Sequence, residues 1–459
     1  MNATKTHAVD MTQGAILPQL LRVAAPIMAT AVLQMAHNLI DLFWLSRLSV
    51  EAVAAAGSAN TYIWLSMALW FIGRMGAEIG VSQNMGKGDT ATARHYANNA
   101  FVIALVLGTV FGAFLLLAHV PLIWFLNLDD PYVVQLTQQY LIVLSLSIPF
   151  MYMKSVISGF YTGFGDTRTP MVMNTIGIVL NMVLTPLAMF SLNFGVIGAA
   201  IATTVAHVSS FFIFVWILKA KQNTPFGTDF RLFAKPVRVY VRQIFKWGNP
   251  IAIESALFTL LTMLVIRMIA DHGTEALAAN RIGSQLEALS WLVGSAYASA
   301  VSTFIGQNWG AKNYPRLREG FRTSVIVMTI WGIIAGGILF LGAYPLTRIF
   351  FHEPLEIELS IMYLQIVAMM QLTACLEGVA AGSFRGRGLT KYPTLVSTVC
   401  NVLRVGLSFW LGQRLGLAGI WWGLTIGAMV RGLWMLTWYW LHTRKEPQIT
   451  PQTTTSNHS

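Results

Sequence analysis

Residues 101–120 read FVIALVLGTVFGAFLLLAHV, twenty residues without a single Asp, Glu, Lys or Arg. A helix of about 20 such residues crosses the ~30 Å hydrocarbon layer of a membrane. Similar stretches recur along the 459-residue chain, which is 55% hydrophobic and 11% charged, whereas soluble domains carry roughly 25% charged residues. The sequence therefore predicts an integral membrane protein. It excludes cytosolic enzymes, secreted disulfide scaffolds and disordered proteins.

Charged or Pro/Gly-rich breaks separate twelve such stretches. Their centres lie near Ala31, Leu65, Val106, Leu144, Ile178, Val205, Leu260, Trp291, Gly332, Met369, Val402 and Met429. Each stretch is long and continuously apolar, which predicts an all-α bundle and excludes a β-barrel, whose strands alternate. Of the 30 Lys and Arg residues, 21 fall in connectors on one side and 3 on the other. Because basic loops stay in the cytoplasm, we predict that both termini are cytoplasmic.

The chain repeats itself at an offset of 224 residues. Pro26 aligns with Pro250, and the segment QNMG at 83–86 aligns with QNWG at 307–310. After the loss of one residue, GFYTGFGDTRTP at 159–170 aligns with GSFRGRGLTKYP at 382–393. Since each copy holds six spans, an even number, the copies have parallel topology and are related by a pseudo-two-fold axis along the membrane normal.

This repeat predicts two lobes of six helices with a cleft between them. We expect an N-lobe of residues 16–219 and a C-lobe of residues 243–442. The remaining segments are a cytoplasmic N-terminal tail (1–15), a cytoplasmic linker (220–242) and a cytoplasmic C-terminal tail (443–459). Secondary transporters commonly place a midplane site between two such lobes, which rock to alternate access.

Several of these motifs occur together in the multidrug and toxic compound extrusion (MATE) family. They are QNMGKGD and QNWGAKN after spans two and eight, a proline early in spans one and seven, EAVAAA and EALAAN at the start of spans two and eight, and GFGDTRTP before span five. The chain resembles this family from about Leu17 to Trp440, and the prokaryotic DinF-like branch most of all. The resemblance implies a V-shaped, twelve-helix antiporter of the cell (inner) membrane, which exports amphipathic, often cationic compounds in exchange for H⁺ or Na⁺.

Acidic residues within the apolar spans are functional hypotheses, because an ionisable group there costs roughly 2.5–3.5 kcal/mol on insertion scales. The resemblance implies that Asp41 on span one, Asn181 on span five and Thr203 on span six form a cation or proton site. Members of the family carry a second aspartate four residues after the asparagine, where this chain has Thr185. One anionic ligand fewer favours H⁺ over Na⁺, although Na⁺ bound by Asp41, Asn181 and Thr203 stays an alternative.

Two histidines are candidate substitutes for the missing carboxylate. His37 lies one helical turn before Asp41, and His207 lies one turn after Thr203. A histidine beside a carboxylate can exchange a proton near neutral pH. We predict that His37 or His207 carries a proton; the alternative is that both only pack.

The second half has its own intramembrane acids. Glu254 on span seven, Glu287 on span eight and Glu377 on span ten are candidates for cation or proton coupling, and acids on spans seven and ten also resemble coupling carboxylates of some MATE branches. The alternative is neutralisation by arginine: Arg281 with Glu287, and Arg267 or Arg404 with Glu254 or Glu377. The i, i+4 spacing of Arg74 and Glu78 predicts an ion pair near the inner end of span two.

The predicted partners are small amphipathic or cationic molecules and membrane lipids. The basic residues are scattered over six loops, which argues against nucleic acid, and we expect a monomer without a cofactor other than the coupling ion. No nucleotide-binding loop or zinc motif of the required spacing occurs, so neither an ATP-driven pump nor an enzyme is predicted. A flippase for lipid-linked oligosaccharides or lipids is the alternative, because five basic residues lie within or near spans: Lys154, Arg267, Arg281, Arg404 and Arg431.

Overall fold

The computed structural model describes residues 8–220, 226 and 232–444, and in these ranges the chain is helical and has no strand. The helices are α1 (Ile16–Leu48), α2 (Val50–Gly86), α3 (Thr90–Phe125), α4 (Pro131–Ser145), α5 (Ile148–Gly163), α6 (Arg168–Pro186), α7 (Gly195–Ala220), α8 (Arg238–Ala270), α9 (Thr274–Gly310), α10 (Tyr314–Leu341), α11 (Ala343–Arg348), α12 (Pro354–Ala368), α13 (Gln371–Gly386) and α14 (Lys391–Arg444). A π-helical turn, Leu187–Ser191, continues α6. Much of the predicted linker and tails lies outside the described residues, as do Lys5, Lys221, Arg231 and Lys445, which contribute to the predicted orientation.

The described helices supply twelve membrane crossings. Eight helices are long and apolar enough to cross singly, and the bent pairs α4–α5 and α12–α13 bring the number to ten. Helix α14 has 54 residues but a non-helical backbone at Gly416, with φ 62°, so it comprises two crossings. Helix α2, with 37 residues, is long enough to cross and occupies the repeat position of the equally long α9. The predicted twelve-helix, all-α fold is confirmed.

The repeat is visible in the backbone where α2 and α9 end. The residue two positions after each helix, Gly88 or Lys312, adopts a positive φ, 76° or 56°. The next residue, Asp89 or Asn313, caps the following helix, because its side chain accepts a hydrogen bond from a first-turn backbone N–H. Glycine adopts this conformation at no steric cost, and Lys312 adopts it as well. The two halves therefore share the same local turn.

The two lobes meet where α2 and α9 end. Gly86 lies against the backbone carbonyl of Gln307, and Gly310 lies against that of Gln83, so closely that a Cβ on either glycine would overlap the facing carbonyl. These contacts are reciprocal under the repeat. We call this end of the bundle, at Gly86 and Gly310, the closed end.

Reciprocal hydrogen bonds join the same helices to the opposite lobe. The Gln83 side-chain amide donates to the Gly386 carbonyl at 2.9 Å, and the Gln307 amide donates to the Gly163 carbonyl at 3.1 Å. Gly163 and Gly386 are themselves partners in the repeat, since they end α5 and α13. The glutamines of the QN motifs thus hold each lobe to the other.

Spans one and seven also reach across near the closed end. Leu20 and Val23 of α1 pack in one cluster with Phe304 of α9, and Gly248 of α8 packs against Ile72 of α2. Further along α1, Leu45 belongs to the core of the N-lobe. Each of these helices therefore contacts the opposite lobe with its first half, which gives the V-shaped arrangement.

The described part of the N-terminal tail packs into the closed end. Met11 is fully buried. Its N–H donates to the Gln307 side chain at 2.9 Å, and its carbonyl accepts from Asn308 at 3.0 Å and from Arg316 at 2.9 Å. The segment before α1 is therefore hydrogen-bonded to α9 and α10 of the C-lobe at the closed end.

Candidate functional site: polar clusters in both lobes

His37 and Asp41 face each other on α1, one helical turn apart. The His37 Nε2 lies 3.4 Å from Asp41 Oδ2, and their side chains are 10% and 25% exposed. On its other side the His37 ring meets the Gln34 amide at 3.3 Å. The structure therefore places an imidazole and a carboxylate within proton-exchange distance inside a membrane span, with the carboxylate partly open.

Asn181, Thr185 and Thr203 form a hydrogen-bonded chain beside this pair. The Asn181 Nδ2 donates to Thr203 Oγ1 at 3.0 Å, and the Thr185 hydroxyl donates to Asn181 Oδ1 at 2.9 Å. Asn181 and Thr185 are buried on α6, and Thr185 also interacts with the Asp41 carboxylate. The four residues that the sequence grouped on spans one, five and six thus lie together.

His207 is placed differently from His37. Its Nδ1 lies 3.3 Å from the Nζ of Lys154 on α5, so its direct partner is an ammonium group and not Asp41. His37 and His207 still belong to one electrostatic neighbourhood. Among the described residues, His207 therefore does not bond the His37–Asp41 pair directly, and its role as a proton carrier stays a prediction.

In the C-lobe, Glu254 of α8 is held by hydroxyl groups. Its Oε2 accepts a hydrogen bond from Thr394 Oγ1 of α14 at 3.1 Å, and Ser397, also on α14, is a second hydroxyl partner. Arg385 and Arg431 act on it electrostatically, and among the described residues neither makes an ion pair within 4.0 Å with Glu254. Glu254 is thus an intramembrane carboxylate with hydrogen bonds but without a bonded cation.

Glu377 forms a direct ion pair. Its Oε2 accepts from Arg431 Nε at 2.8 Å, and Arg431 Nη1 donates to Asn401 Oδ1 at 2.9 Å. The sequence proposed Arg267 or Arg404 for this partner, and that pairing is wrong for Glu377. The reason is helix packing: Glu377 lies in the second turn of α13, which faces the part of α14 that carries Arg431.

Glu287 is held by a tyrosine and a glutamine. The Tyr363 hydroxyl donates to Glu287 Oε2 at 3.0 Å, Gln371 is a further partner, and Arg404 supplies the nearby positive charge. Arg281, the arginine proposed from sequence, is exposed on α9 and is not among the groups that act on Glu287. It lies nearly two turns before Glu287 on the same helix, too far to pair.

Glu78 lies in the contact between the lobes and is 1% exposed. Its Oε1 accepts from the Ser299 hydroxyl of α9 at 3.4 Å, and its Oε2 has no hydrogen-bond partner among the described residues. Arg74 and Arg385 act on it electrostatically from either lobe. The predicted Arg74–Glu78 ion pair is therefore replaced by a carboxylate that bonds across the lobes.

Several partners escaped the sequence reasoning. Tyr363, Thr394 and Asn401 are polar residues in apolar spans, and nothing in their spacing distinguishes them from other buried polar groups. Arg431 carried a usable signal, since an arginine within a span requires a partner. The described ranges contain no group of three or more His, Cys, Asp or Glu residues that could hold a metal ion.

The sequence pattern of the MatE family matches residues 26–187 and 250–410, one block in each half of the repeat. The chain belongs to the MatE family. This membership confirms the family expected from the motifs. Because MatE proteins are transporters, it also confirms the prediction that the chain is not an enzyme.

Relatives of this MatE protein align over nearly its full length. It is 27% identical to the probable multidrug resistance protein NorM of Thermotoga maritima over 434 residues, which cover 92% of each chain. It is 24% identical to the multidrug resistance protein PmpM of Pseudomonas aeruginosa over 429 residues, which cover 90% of this chain and 88% of PmpM.

Solved MatE structures have the same fold. A MATE protein in complex with MaD3S superposes with a TM-score of 0.89 at 22% identity, covering 96% of this chain and 99% of that one. An outward-facing multidrug resistance MATE transporter of the MOP superfamily gives the same TM-score, identity and coverage. The likeness confirms the predicted two-lobe architecture of a multi-pass membrane protein.

Proposed function

We propose that this MatE protein is a secondary active multidrug efflux antiporter, which exports amphipathic or cationic organic compounds in exchange for H⁺. The names of the relatives, multidrug resistance proteins, support the cargo class. The observation that carries the proposal is the contact between His37 and Asp41, 3.4 Å apart and beside the Asn181 cluster. A carboxylate–imidazole pair inside a membrane span is a device for binding and releasing a proton.

The composition of this cluster supports H⁺ over Na⁺ as the coupling ion. Asp41 is the only acidic residue in it, and its neighbour is an imidazole, which gains a positive charge on protonation. The Thr203 hydroxyl oxygen accepts a hydrogen bond from Asn181 Nδ2, and Asn181 Oδ1 accepts one from Thr185. A hard cation prefers several oxygen ligands, so Na⁺ at Asp41, Asn181 and Thr203 is the less favoured alternative.

The C-lobe contributes a second exchange site at Glu254. A deprotonated Glu254 attracts a lipophilic cation, and protonation removes that attraction, so that proton and cargo compete for one carboxylate. Glu254 suits this role because its bonded partners are hydroxyl groups. Glu377 is bound to Arg431 and positions the helices, and Glu287 is bound to Tyr363.

Alternating access follows from separation of the lobes. The reciprocal contacts at the closed end are the bonds that must break for the cleft to open on that side. With both termini cytoplasmic, the closed end faces the cytoplasm, and the structure corresponds to a state that releases cargo outward. Proton binding at Asp41 and Glu254 then favours release and return.

The test is ethidium transport in proteoliposomes under separately imposed gradients. In proteoliposomes that contain the transporter in the inside-out orientation, we expect a pH gradient to drive ethidium uptake. An equal Na⁺ gradient should have little effect. Transport that follows Na⁺ alone would overturn the choice of ion. Translocation of a fluorescent lipid without any gradient, in the absence of ethidium transport, would instead support the flippase alternative.

A further inference from the structure

Lys154 places an ammonium group within a membrane span, and no carboxylate of the described residues pairs with it. It lies on α5, half-buried, and its Nζ contacts His207 Nδ1 at 3.3 Å. Among the described residues no Asp or Glu lies within ion-pairing distance of it. An ionisable group at this depth normally pairs, faces a cavity or marks a substrate pathway. The positive charge of Lys154 is therefore not neutralised by an ion pair among the described residues.

The internal repeat supplies a comparison within the same molecule. At the offset of 223 that aligns the GFYTGFGDTRTP segment with its copy, Lys154 corresponds to Glu377. In the C-lobe this position bonds Arg431 of the last span, and the two charges cancel. In the N-lobe it bonds His207 of span six, which carries no negative charge. The C-lobe position is neutralised, whereas the N-lobe position keeps a net positive charge.

The surroundings of Lys154 strengthen this polarity. His207 from α7 contacts the ammonium group directly, and His37 from α1 acts electrostatically on His207. The carboxylate of Asp41 contacts His37 and, among the described residues, makes no ion pair with Lys154. An anionic group that reaches Lys154 thus meets an ammonium group to which no carboxylate of the described residues is bonded.

We propose that Lys154, assisted by His207, binds an anionic oxygen group of an amphiphilic cargo. The inference rests on the proposed efflux function and assigns Lys154 as the residue that would hold the carboxylate of a zwitterionic cargo. Ammonium groups bind carboxylates and phosphates by charge-assisted hydrogen bonds. The same chemistry fits a carboxylate on a small molecule and a phosphate on a lipid headgroup, and the experiment separates the two sources.

Rhodamine B and its ethyl ester are matched probes, because they share one ring system and differ in a free carboxylate. Efflux of both dyes and of ethidium is measured in proteoliposomes containing the wild type, Lys154→Gln, Lys154→Arg or Arg267→Gln. Arg267 is an exposed residue of α8 and controls for the loss of one positive charge. A parallel assay follows translocation of NBD-labelled phosphatidic acid.

We expect Lys154→Gln to lower rhodamine B efflux at least about tenfold, while efflux of the ester and of ethidium changes less than about twofold. Lys154→Arg should retain most rhodamine B efflux, and Arg267→Gln should resemble the wild type. A selective loss of lipid translocation in Lys154→Gln would assign the site to a lipid phosphate. Equal effects of Lys154→Gln on both dyes and no effect on the lipid would overturn the anionic site.

The wild type distinguishes failure of this inference from failure of the proposed function. Export of ethidium and the ester, without export of rhodamine B or the labelled lipid, would refute the anionic site and leave efflux standing. If the wild type exports none of the dyes under any gradient, the proposed function fails and the substrate inference fails with it.

Discussion

Gly86 lies directly against the backbone carbonyl of Gln307, and this contact joins the end of α2 to the end of α9 across the two lobes. The approach is possible only because Gly86 lacks a Cβ. Gly310 makes the reciprocal contact with Gln83. Two glycines related by the repeat therefore set the distance between the lobes at the closed end.

Gly86→Ala should separate the lobes at the closed end. The added methyl group overlaps the Gln307 carbonyl, so the closed contact must widen. We expect a longer distance between spin labels at Lys87 and Lys312, two exposed residues of this end, measured by pulsed EPR after removal of the buried Cys375 and Cys400. Transport should fall at least about tenfold.

Gly57→Ala is the matched control, because Gly57 lies on the same helix and a Cβ there meets nothing within 4 Å. Alanine is the better helix former by about 1 kcal/mol, so this variant should keep full transport and the wild-type distance. If Gly86→Ala gave the same distance as Gly57→Ala, the role of Gly86 in closure would be refuted.

Asp41→Asn should abolish proton-driven efflux. The amide cannot take up and release a proton, although it keeps the size of the side chain and its place beside Thr185. His37→Gln should weaken the dependence of efflux on external pH, since it removes the imidazole that contacts Asp41 at 3.4 Å. The measurement is ethidium efflux at a series of pH values.

The control for His37 is His119→Gln, because His119 is half-buried on α3 and, among the described residues, its one hydrogen bond is with the Leu116 carbonyl of its own helix. Its pH profile should match that of the wild type. Undiminished, gradient-dependent efflux by Asp41→Asn protein that reaches the membrane in normal amount would contradict the proposed N-lobe proton site.

The cluster at Asp41 could be predicted in large part from the sequence. His37 and Asp41 are four residues apart on one helix, and this spacing alone places them on one face. Thr203 was placed near them by the family pattern. By contrast, the pairs Glu377–Arg431 and Lys154–His207 join helices 54 and 53 residues apart in sequence. Their contacts depend on how spans four and six, or ten and twelve, pack, which hydropathy does not encode.

The number of spans could also be predicted from the sequence, but the bends within them could not. Apolar length predicts a crossing, whereas the bends of 47° between α4 and α5 and of 45° between α12 and α13 depend on the packing of these helices in their lobes. The contact of Gly86 with Gln307 could not be predicted from the sequence, because it depends on how the two lobes are placed relative to each other.

Glu254 and Glu377 should respond differently to neutralisation. Glu254→Gln should leave thermal stability near that of the wild type and lower efflux at least about tenfold, because its hydroxyl partners can still bond an amide. Glu377→Gln leaves Arg431 as an unpaired buried charge, which costs roughly 3–5 kcal/mol. Its melting temperature in detergent, followed by tryptophan fluorescence, should fall clearly.

The double variant Glu377→Gln/Arg431→Gln distinguishes pairing from proton transfer. Removing both charges should restore much of the stability that Glu377→Gln loses, since no orphan charge remains. If the double variant were less stable than the sum of the single variants predicts, the ion pair would not be the reason for the loss. If Glu254→Gln transported ethidium normally, Glu254 would not be the exchange site.

Glu78 should hold the closed end together by charge. Arg74 of its own lobe and Arg385 of the other both act on it electrostatically, and it accepts a hydrogen bond from Ser299 across the contact. Glu78→Gln removes the negative charge and leaves the positive charges of both arginines uncompensated at a buried position. We therefore expect the spin-label distance between positions 87 and 312 to lengthen, and efflux to fall.

Two further variants separate charge from hydrogen bonding at Glu78. Ser299→Ala should change the distance little, since the bond that it removes is long at 3.4 Å. Glu78→Gln/Arg385→Gln also removes the positive charge that the other lobe contributes. It should restore the wild-type distance, because Arg74 is then the one arginine of the pair that remains. If the double variant stayed open while Ser299→Ala opened as well, the hydrogen bond and not the charge would be what closes this end.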